Sequence, residues 1–266
     1  MKLSIAISWQ ETKFGAIAKG DAPALIDHAK SLGYDAVELA VCNPDAVDAE
    51  SLLRCLNGMP VSAMGTGQAF LTDGLSFTDG SASVRRSAME RLASHCRLAS
   101  RIGCPLVIVG LIRGRSGKQR NLVECLRRVC ILAEEVGVRL VIEPINRYET
   151  ELVNTAEAAM ELIDQVGAAN LGLLLDTFHM NIEESNPAAS LIKCKERLWH
   201  VHFADSNRLS PGAGHIDFAQ VAGILQALKY GGYISAEIVP KPDAQSAMEN
   251  ALHNMRRSAG TAASTL

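Results

Sequence analysis

RLVIEPINRYET, residues Arg139–Thr150, decides the fold. Leu140, Val141 and Ile142 form a continuous apolar run of β-formers, the pattern of a strand covered on both faces in a parallel sheet. Glu143 ends that run, held by Pro144. Asn146, Arg147, Tyr148 and Glu149 follow, so the strand empties into a polar turn. Ligands of parallel α/β sheets bind beyond the carboxyl ends of the strands, which makes Glu143 a candidate site residue. By itself, a strand-end glutamate is as readily half of a structural ion pair.

Working outward, the same alternation fills the chain. Lys2–Ser8, Ala36–Val41, Val61–Gly65, Pro105–Leu111, Arg139–Ile145, Leu171–Thr177, Leu198–Ala204 and Tyr233–Val239 read as strands. Helical patterns lie at Ala22–Ser31, Asp45–Asn57, Ser83–Ile102, Leu122–Val136, Ala156–Val166, Pro187–Glu196, Phe218–Leu228 and Ala244–Arg257. Asp21 and Pro23 mark one helix start, and Gly33, Gly103 and Gly137 mark helix stops. Thr66–Gly74, TGQAFLTDG, reads as a long glycine-bearing loop, and the tail Ser258–Leu266 as frayed. Strands joined through helices must pair in parallel, so eight such units predict an α/β fold, a (β/α)8 TIM barrel, as a single domain over residues 1–266. An open doubly wound sheet is the alternative. It would require a glycine fingerprint after the first strand, and that stretch has none.

Composition narrows the function. Twenty-six basic and 29 acidic residues give a net charge of −3, and no basic block suggests a nucleic-acid footprint. No apolar run is long enough to span a bilayer. Cys42, Cys55, Cys96, Cys104, Cys125, Cys130 and Cys194 are odd in number and form no CxxC pair, which predicts reduced thiols and a cytoplasmic protein. The opening MKLSIAISWQ meets Gln10, Glu11 and Lys13 too soon for a signal peptide and reads as a strand.

In a barrel, the carboxyl ends of the strands converge. Glu143, Asp176, His202 and Glu237 sit at or near the ends of the last four strands. Asp176 could cap the following turn, His202 could be a packed core histidine, and Glu237 could pair with a cation across the rim. As a set, three buried carboxylates would repel one another, and one divalent ion, Mn²⁺ first, with Mg²⁺ or Co²⁺ as alternatives, resolves that repulsion. Strand alternation puts His200 on the same face as His202, one layer deeper. Gln68, Glu149, His179 and Arg208 form a second ring suited to sugar hydroxyls, and Trp9 could stack on a sugar face. Arg113 and Arg115, with Lys118, sit in the loop after the fourth strand, where they could capture a substrate carboxylate or phosphate.

EPINRYET (143–150), LDTFHMNIEE (175–184), HVHFADSNR (200–208) and SAEI (235–238) resemble, in order, the metal-site segments of xylose-isomerase-like TIM barrels, within them the D-tagatose and D-psicose 3-epimerases. VELAV (37–41), GTGQAFLTDGLSFTD (65–79) and GLIRGR (110–115) resemble the narrower 5-keto-L-gluconate epimerases. The resemblance implies that Glu143, Asp176, His202 and Glu237 hold the metal, that Glu143 and Glu237 also move the proton, and that Glu149, His179 and Arg208 contact the sugar. It also implies a homo-oligomer.

The expected chemistry is proton removal next to a ketone, giving an enediolate, and reprotonation on the opposite face. The substrate would be a ketose or a keto-sugar acid. An aldose–ketose or hydroxypyruvate-type isomerase, or a sugar-phosphate isomerase or epimerase, would use the same intermediate. A DNA-repair phosphodiesterase would want several metals and a basic groove, and a sugar-binding protein would have no use for two opposed carboxylates.

Overall fold

The computed structural model describes residues 1–263, with side chains through Gly260. In chain order the elements are β1 Lys2–Ser8, α1 Ala22–Leu32, β2 Ala36–Ala40, α2 Ala49–Leu56, β3 Val61–Gly65, α3 Gln68–Asp73, α4 Ala82–Arg101, β4 Leu106–Val109 and α5 Gln119–Glu135. They continue with β5 Arg139–Ile142, α6 Ala156–Val166, β6 Leu171–Asp176, α7 Thr177–Glu183, α8 Pro187–Lys193, β7 Leu198–Phe203, α9 Phe218–Ala227, β8 Tyr233–Ala236 and α10 Ala244–Ala263. The eight strands pair in parallel in sequence order, and β8 closes on β1 to make a barrel. The fold is the (β/α)8 TIM barrel that the strand–helix alternation predicts, and no helix is long and apolar enough to cross a membrane among the described residues.

The period-two alternation of the strands explains where the core and the site lie. Val107, Val109, Leu140, Ile142, Leu173 and Leu175 join the large apolar cluster beneath the helices. Their alternates Ala63, Leu106, Ile108, Val141 and Leu174 make a second, smaller apolar cluster. Continuing the inward face of β5 by one step from Val141 gives Glu143, and that of β6 from Leu174 gives Asp176. Buried Ser4, Glu38, His200, His202 and Ser235 give β1, β2, β7 and β8 polar inward positions, and an irregularity in the β2–β3 register lets Ser62, beside Ala63, reach Ser4 Oγ at 2.8 Å. The barrel interior is therefore apolar on one side and polar on the other.

Several elements differ from the sequence reading for identifiable reasons. Thr66–Gly74 is no open loop: Gln68–Asp73 is helical, closed by Gly74 in the left-handed conformation. Six residues flanked by glycines carry too little periodicity to announce a helix. Asp176 caps a further short helix, α7, by accepting from the Phe178 amide at 2.8 Å. The segment read as one helix from Asp45 splits into a 3₁₀ turn at Pro44–Ala46 and α2, because the Asp48 carboxylate accepts from the amides of Glu50 and Ser51 and starts the helix there. β5 and β8 end at Ile142 and Ala236, before the ends expected for them. α10 continues through most of the expected frayed tail to Ala263, and the remainder of that tail lies outside the described residues. All seven cysteines are free thiols.

Candidate active site

At the carboxyl end of the barrel, one ligand atom each from Glu143, Asp176, His202 and Glu237 falls within 4.8 Å of all the others. His202 Nδ1 stands 3.6 Å from Glu143 Oε1, 4.0 Å from Asp176 Oδ2 and 3.9 Å from Glu237 Oε2. Glu143 Oε1, Asp176 Oδ2 and His202 Nδ1 are buried and make no hydrogen bond. Buried polar atoms without partners are rare because each forfeits its hydration, so three of them aimed at one point call for a ligand. Three carboxylates and one imidazole are a hard donor set that fits a divalent cation.

Asp176 serves two purposes at once. Its Oδ1 caps α7, while Oδ2 faces the cluster. Capping and ligation, alternatives on sequence grounds, are compatible because a carboxylate has two oxygens.

Charge repulsion and burial leave clear marks on the titrating groups. Burial, with Glu143 and Asp176 alongside, pushes the Glu237 carboxyl up to about 8, against the pull of His202 and Arg208. Burial likewise raises Asp176 to about 6, although Arg208 and His202 oppose it. Glu143 goes the other way: burial would raise it, but His202, His179 and Arg113 hold it below the usual carboxylate range. The His202 imidazole is raised well above its ordinary value despite burial, because Glu38, Glu143 and Glu237 surround it.

Beneath the cluster, Glu38 Oε2 receives both His200 Nε2, at 2.7 Å, and His202 Nε2, at 3.1 Å. A carboxylate only accepts, so each imidazole carries its proton on Nε2, and Nδ1 of His202 is left facing the other ligand atoms. His179 is fixed differently. The Asn146 amide and side chain lie 3.4 and 2.9 Å from its Nδ1, so Nε2–H points toward Asp176 and Glu143. Burial first, then Arg208, brings His179 down to about 3, keeping it a neutral donor.

A cavity opens over these groups, walled by Phe14, Gln68, Leu71, Ile108, Leu111, Ile145, Glu149, His179, Arg208 and Glu237, among others. Gly110 belongs to the same wall, where a Cβ would lie 3.3 Å from Glu143 Oε2. Arg208 spans the cavity, donating from Nη1 to Glu149 at 3.0 Å and from Nη2 to Glu237 at 2.9 Å. Its guanidinium lies over the rings of Phe14 and Phe178. The residue is left-handed, φ 61°, a conformation an arginine rarely adopts.

The structure thus brings Gln68, Glu149, His179 and Arg208 to the cavity with the four cluster residues. It does not bring Arg113 or Arg115, and here the expectation of a substrate-capturing arginine pair is corrected. Arg113 is fully buried and turned inward, its guanidinium spent on the backbone carbonyls of Val109, Gly110, Glu143, Leu152 and Val153. Arg115 points outward, over the Phe70 ring, into a surface groove with Lys118. Trp9 packs against the apolar core, and Phe14 is the aromatic that reaches the cavity wall.

A sequence profile described as xylose isomerase-like TIM barrel matches residues 26–257. The chain belongs to that family. An L-ribulose 3-epimerase of Methylomonas sp. (strain DH-1) is 31% identical over 229 residues, 83% of this chain and 79% of the relative. A D-psicose 3-epimerase of Enterocloster bolteae is 40% identical over 118 residues, but that match spans only 44% of this chain and 39% of the relative. Among solved structures, one of L-ribulose 3-epimerase superposes with a TM-score of 0.85 at 24% identity, covering 99% of this chain and 96% of that one. Members of this family with those names are isomerases acting on sugars.

Four residues in and beneath the barrel mouth escaped the sequence reading. Glu38 lies mid-strand in AVELA, and a charge inside an apolar run is a signal that something must pair with it. Asp205 is buried, accepting from the amides of Ser206, Gly212 and Ile216, and it shapes the loop that carries Arg208. Phe14 and Phe178, the rings flanking Arg208, carry no sequence signal, since each reads as ordinary packing.

Proposed function

We propose that this protein is a divalent-cation-dependent ketose epimerase that inverts carbon 3, next to the ketone, of a small neutral ketose. The observation that carries the reading is the convergence of Glu143, Asp176, His202 and Glu237 with three of their polar atoms buried and unpaired. The 31% identical L-ribulose 3-epimerase supports the reaction class. A neutral substrate is favoured because Arg208 is the one arginine or lysine among the cavity-lining residues, and it is already engaged by Glu149 and Glu237.

Glu143, Asp176, His202 and Glu237 would hold the cation, Mn²⁺ first among the candidates. When bound, it supplies Lewis-acid stabilisation of negative charge on the substrate oxygens. The chain's own groups do the rest. Glu143 and Glu237 enter from β5 and β8, with the residues of β6 and β7 between them, so they can address opposite faces of a sugar carbon. One takes the proton from that carbon and the other returns a proton from the opposite face, which inverts the centre. Arg208 holds Glu237 in place, and Glu149 and Asn146 hold Arg208 and His179. His179 Nε2–H and the unpaired Gln68 Oε1 offer a donor and an acceptor to hydroxyls.

Protein stripped with chelator and reloaded with Mn²⁺, Mg²⁺ or Co²⁺ tests this on L-ribulose, D-psicose, D-tagatose, D-fructose, tagaturonate and 5-keto-gluconate, with products separated by chromatography. The expected result is a carbon-3 epimer from a neutral ketose, formed only in reloaded protein. Formation of an aldose, or conversion of the keto acids alone, would contradict the proposal.

A further inference from the structure

Arg113 is a buried cation that feels the charges of Glu143 and Glu149 but, among the described residues, makes no direct ion pair, and a buried charge is costly unless its donors are satisfied. Its donors go instead to carbonyls from three separate segments. Nη1 reaches Val109 and Gly110 at the exit of β4, and Glu143 at the exit of β5. Nε and Nη2 reach Leu152 and Val153, at 3.1 and 3.3 Å, in the loop that follows β5. Thr150 Oγ1 adds a stitch to the carbonyls of Gly114 and Arg115, at 3.0 and 3.1 Å.

The loop held this way is strained. Val153 has φ 57°, and a β-branched residue in the left-handed region is a true outlier, found where surroundings impose it. Its carbonyl accepts from Arg113 Nη2 and from the Ile145 amide, both at 3.3 Å. Asn154 fastens the far end, donating to Ile145 and Thr150 carbonyls at 2.7 and 2.8 Å. Inside the loop lie Asn146, which meets His179, and Glu149, which grips Arg208 and through it Glu237.

We propose that Arg113 is a positioning residue: by clamping the β4 exit, the β5 exit and Leu152–Val153 together, it holds the 146–154 loop in its strained shape and so sets the places of Glu143, Glu149 and, through Arg208, Glu237. It never touches the substrate. A guanidinium is needed because its planar fork reaches the β5 exit and the loop at once, whereas the lysine ammonium donates from a single point.

The test compares wild type with Arg113→Lys, Val153→Gly and the double variant, reading kcat, KM, thermal stability and amide exchange across residues 146–154. The catalytic readout rests on the epimerase reading. The exchange readout does not, so it decides the clamp even in a protein that turns over no ketose. Arg113→Lys is expected to lower kcat by about 10- to 100-fold, the usual scale for groups that orient those in contact with a reaction centre, and to speed exchange in the loop. Glycine adopts a positive φ without steric penalty, while the change gives up the packing of the Val153 side chain and loosens the unfolded chain, so Val153→Gly is expected to keep wild-type kcat with stability close to that of wild type. In the double variant it should recover at least part of the lost kcat, because the loop then needs less holding. Wild-type kcat and exchange in Arg113→Lys would overturn the proposal. So would a raised KM at unchanged kcat, or a double variant that regains none of the kcat lost in Arg113→Lys.

Discussion

Glu38 Oε2 lies 3.1 Å from His202 Nε2, and this contact decides which imidazole nitrogen faces the carboxylates above it. Because Glu38 also receives His200 Nε2 at 2.7 Å, a single oxygen fixes two histidines. Burial alone would raise the Glu38 carboxyl, yet His202 and His200 hold it well below the ordinary range, so it stays ionised. Replacing Glu38 by Gln keeps the shape and an oxygen that can accept from both imidazoles but removes the charge. Calorimetric titration of stripped Glu38→Gln protein with Mn²⁺ is expected to show affinity reduced by about 10- to 100-fold. Wild-type affinity would mean that His202 needs no support from below.

Glu143→Gln and Glu237→Gln address the proton transfers. Each positioned acid or base typically contributes about 10²- to 10⁴-fold, and each substitution is expected to lower kcat by that much under saturating Mn²⁺. Full activity in either variant would remove that residue from the proposed mechanism.

Gly110 supplies a subtler probe. A Cβ there would sit 3.3 Å from Glu143 Oε2, so Gly110→Ala must displace the carboxylate by a few tenths of an ångström. Because misplacement by about 1 Å can cost 10²-fold, kcat is expected to fall by less than that, with little change in thermal stability. An unchanged kcat would show that the Glu143 carboxylate has room to spare.

The pH dependence of stability above neutrality follows from two groups. In cation-free protein, Glu237 at about 8 retains a proton that the unfolded chain has lost well below pH 7, and the strongly raised His202 retains one that the unfolded chain loses as pH rises through 6.5. His179, at about 3, and His200 and His95, also held down by burial, are neutral in the native state; their unfolded forms lose charge around pH 6.5 and oppose the trend there, so the fall is expected above pH 7. Between pH 7 and 8 the native state binds more protons than the unfolded state, and its stability falls as pH rises through that window. Thermal unfolding of chelated protein should show a melting temperature that declines from pH 7 to 8, and added Mn²⁺ should restore most of the loss at pH 8. A melting temperature that rises across that window would contradict the charge arrangement.

What the sequence made legible follows the strength of its periodic signals. The eight strands were readable because runs such as Leu140–Ile142 and Leu173–Leu175 are apolar on both faces, and parallel pairing then forces Glu143, Asp176, His202 and Glu237 to one end. Arg113 was misread because a charged residue in a glycine-flanked loop looks solvated, and nothing local reveals that five carbonyls await it. Helix α7 was hidden because its start depends on Asp176, whose capping oxygen is invisible beside its other use. Glu38 could have been found from its place inside AVELA, but its partners lie 162 and 164 residues away.

The most direct test of the account is proton NMR of L-ribulose and D-psicose incubated in D₂O with Mn²⁺-loaded protein. The account predicts deuterium at carbon 3 alone, appearing together with the inverted epimer, abolished by chelator and by Glu143→Gln. Deuterium entering carbon 1 with an aldose product, or inversion without any deuterium under conditions where released protons exchange with solvent, would contradict it.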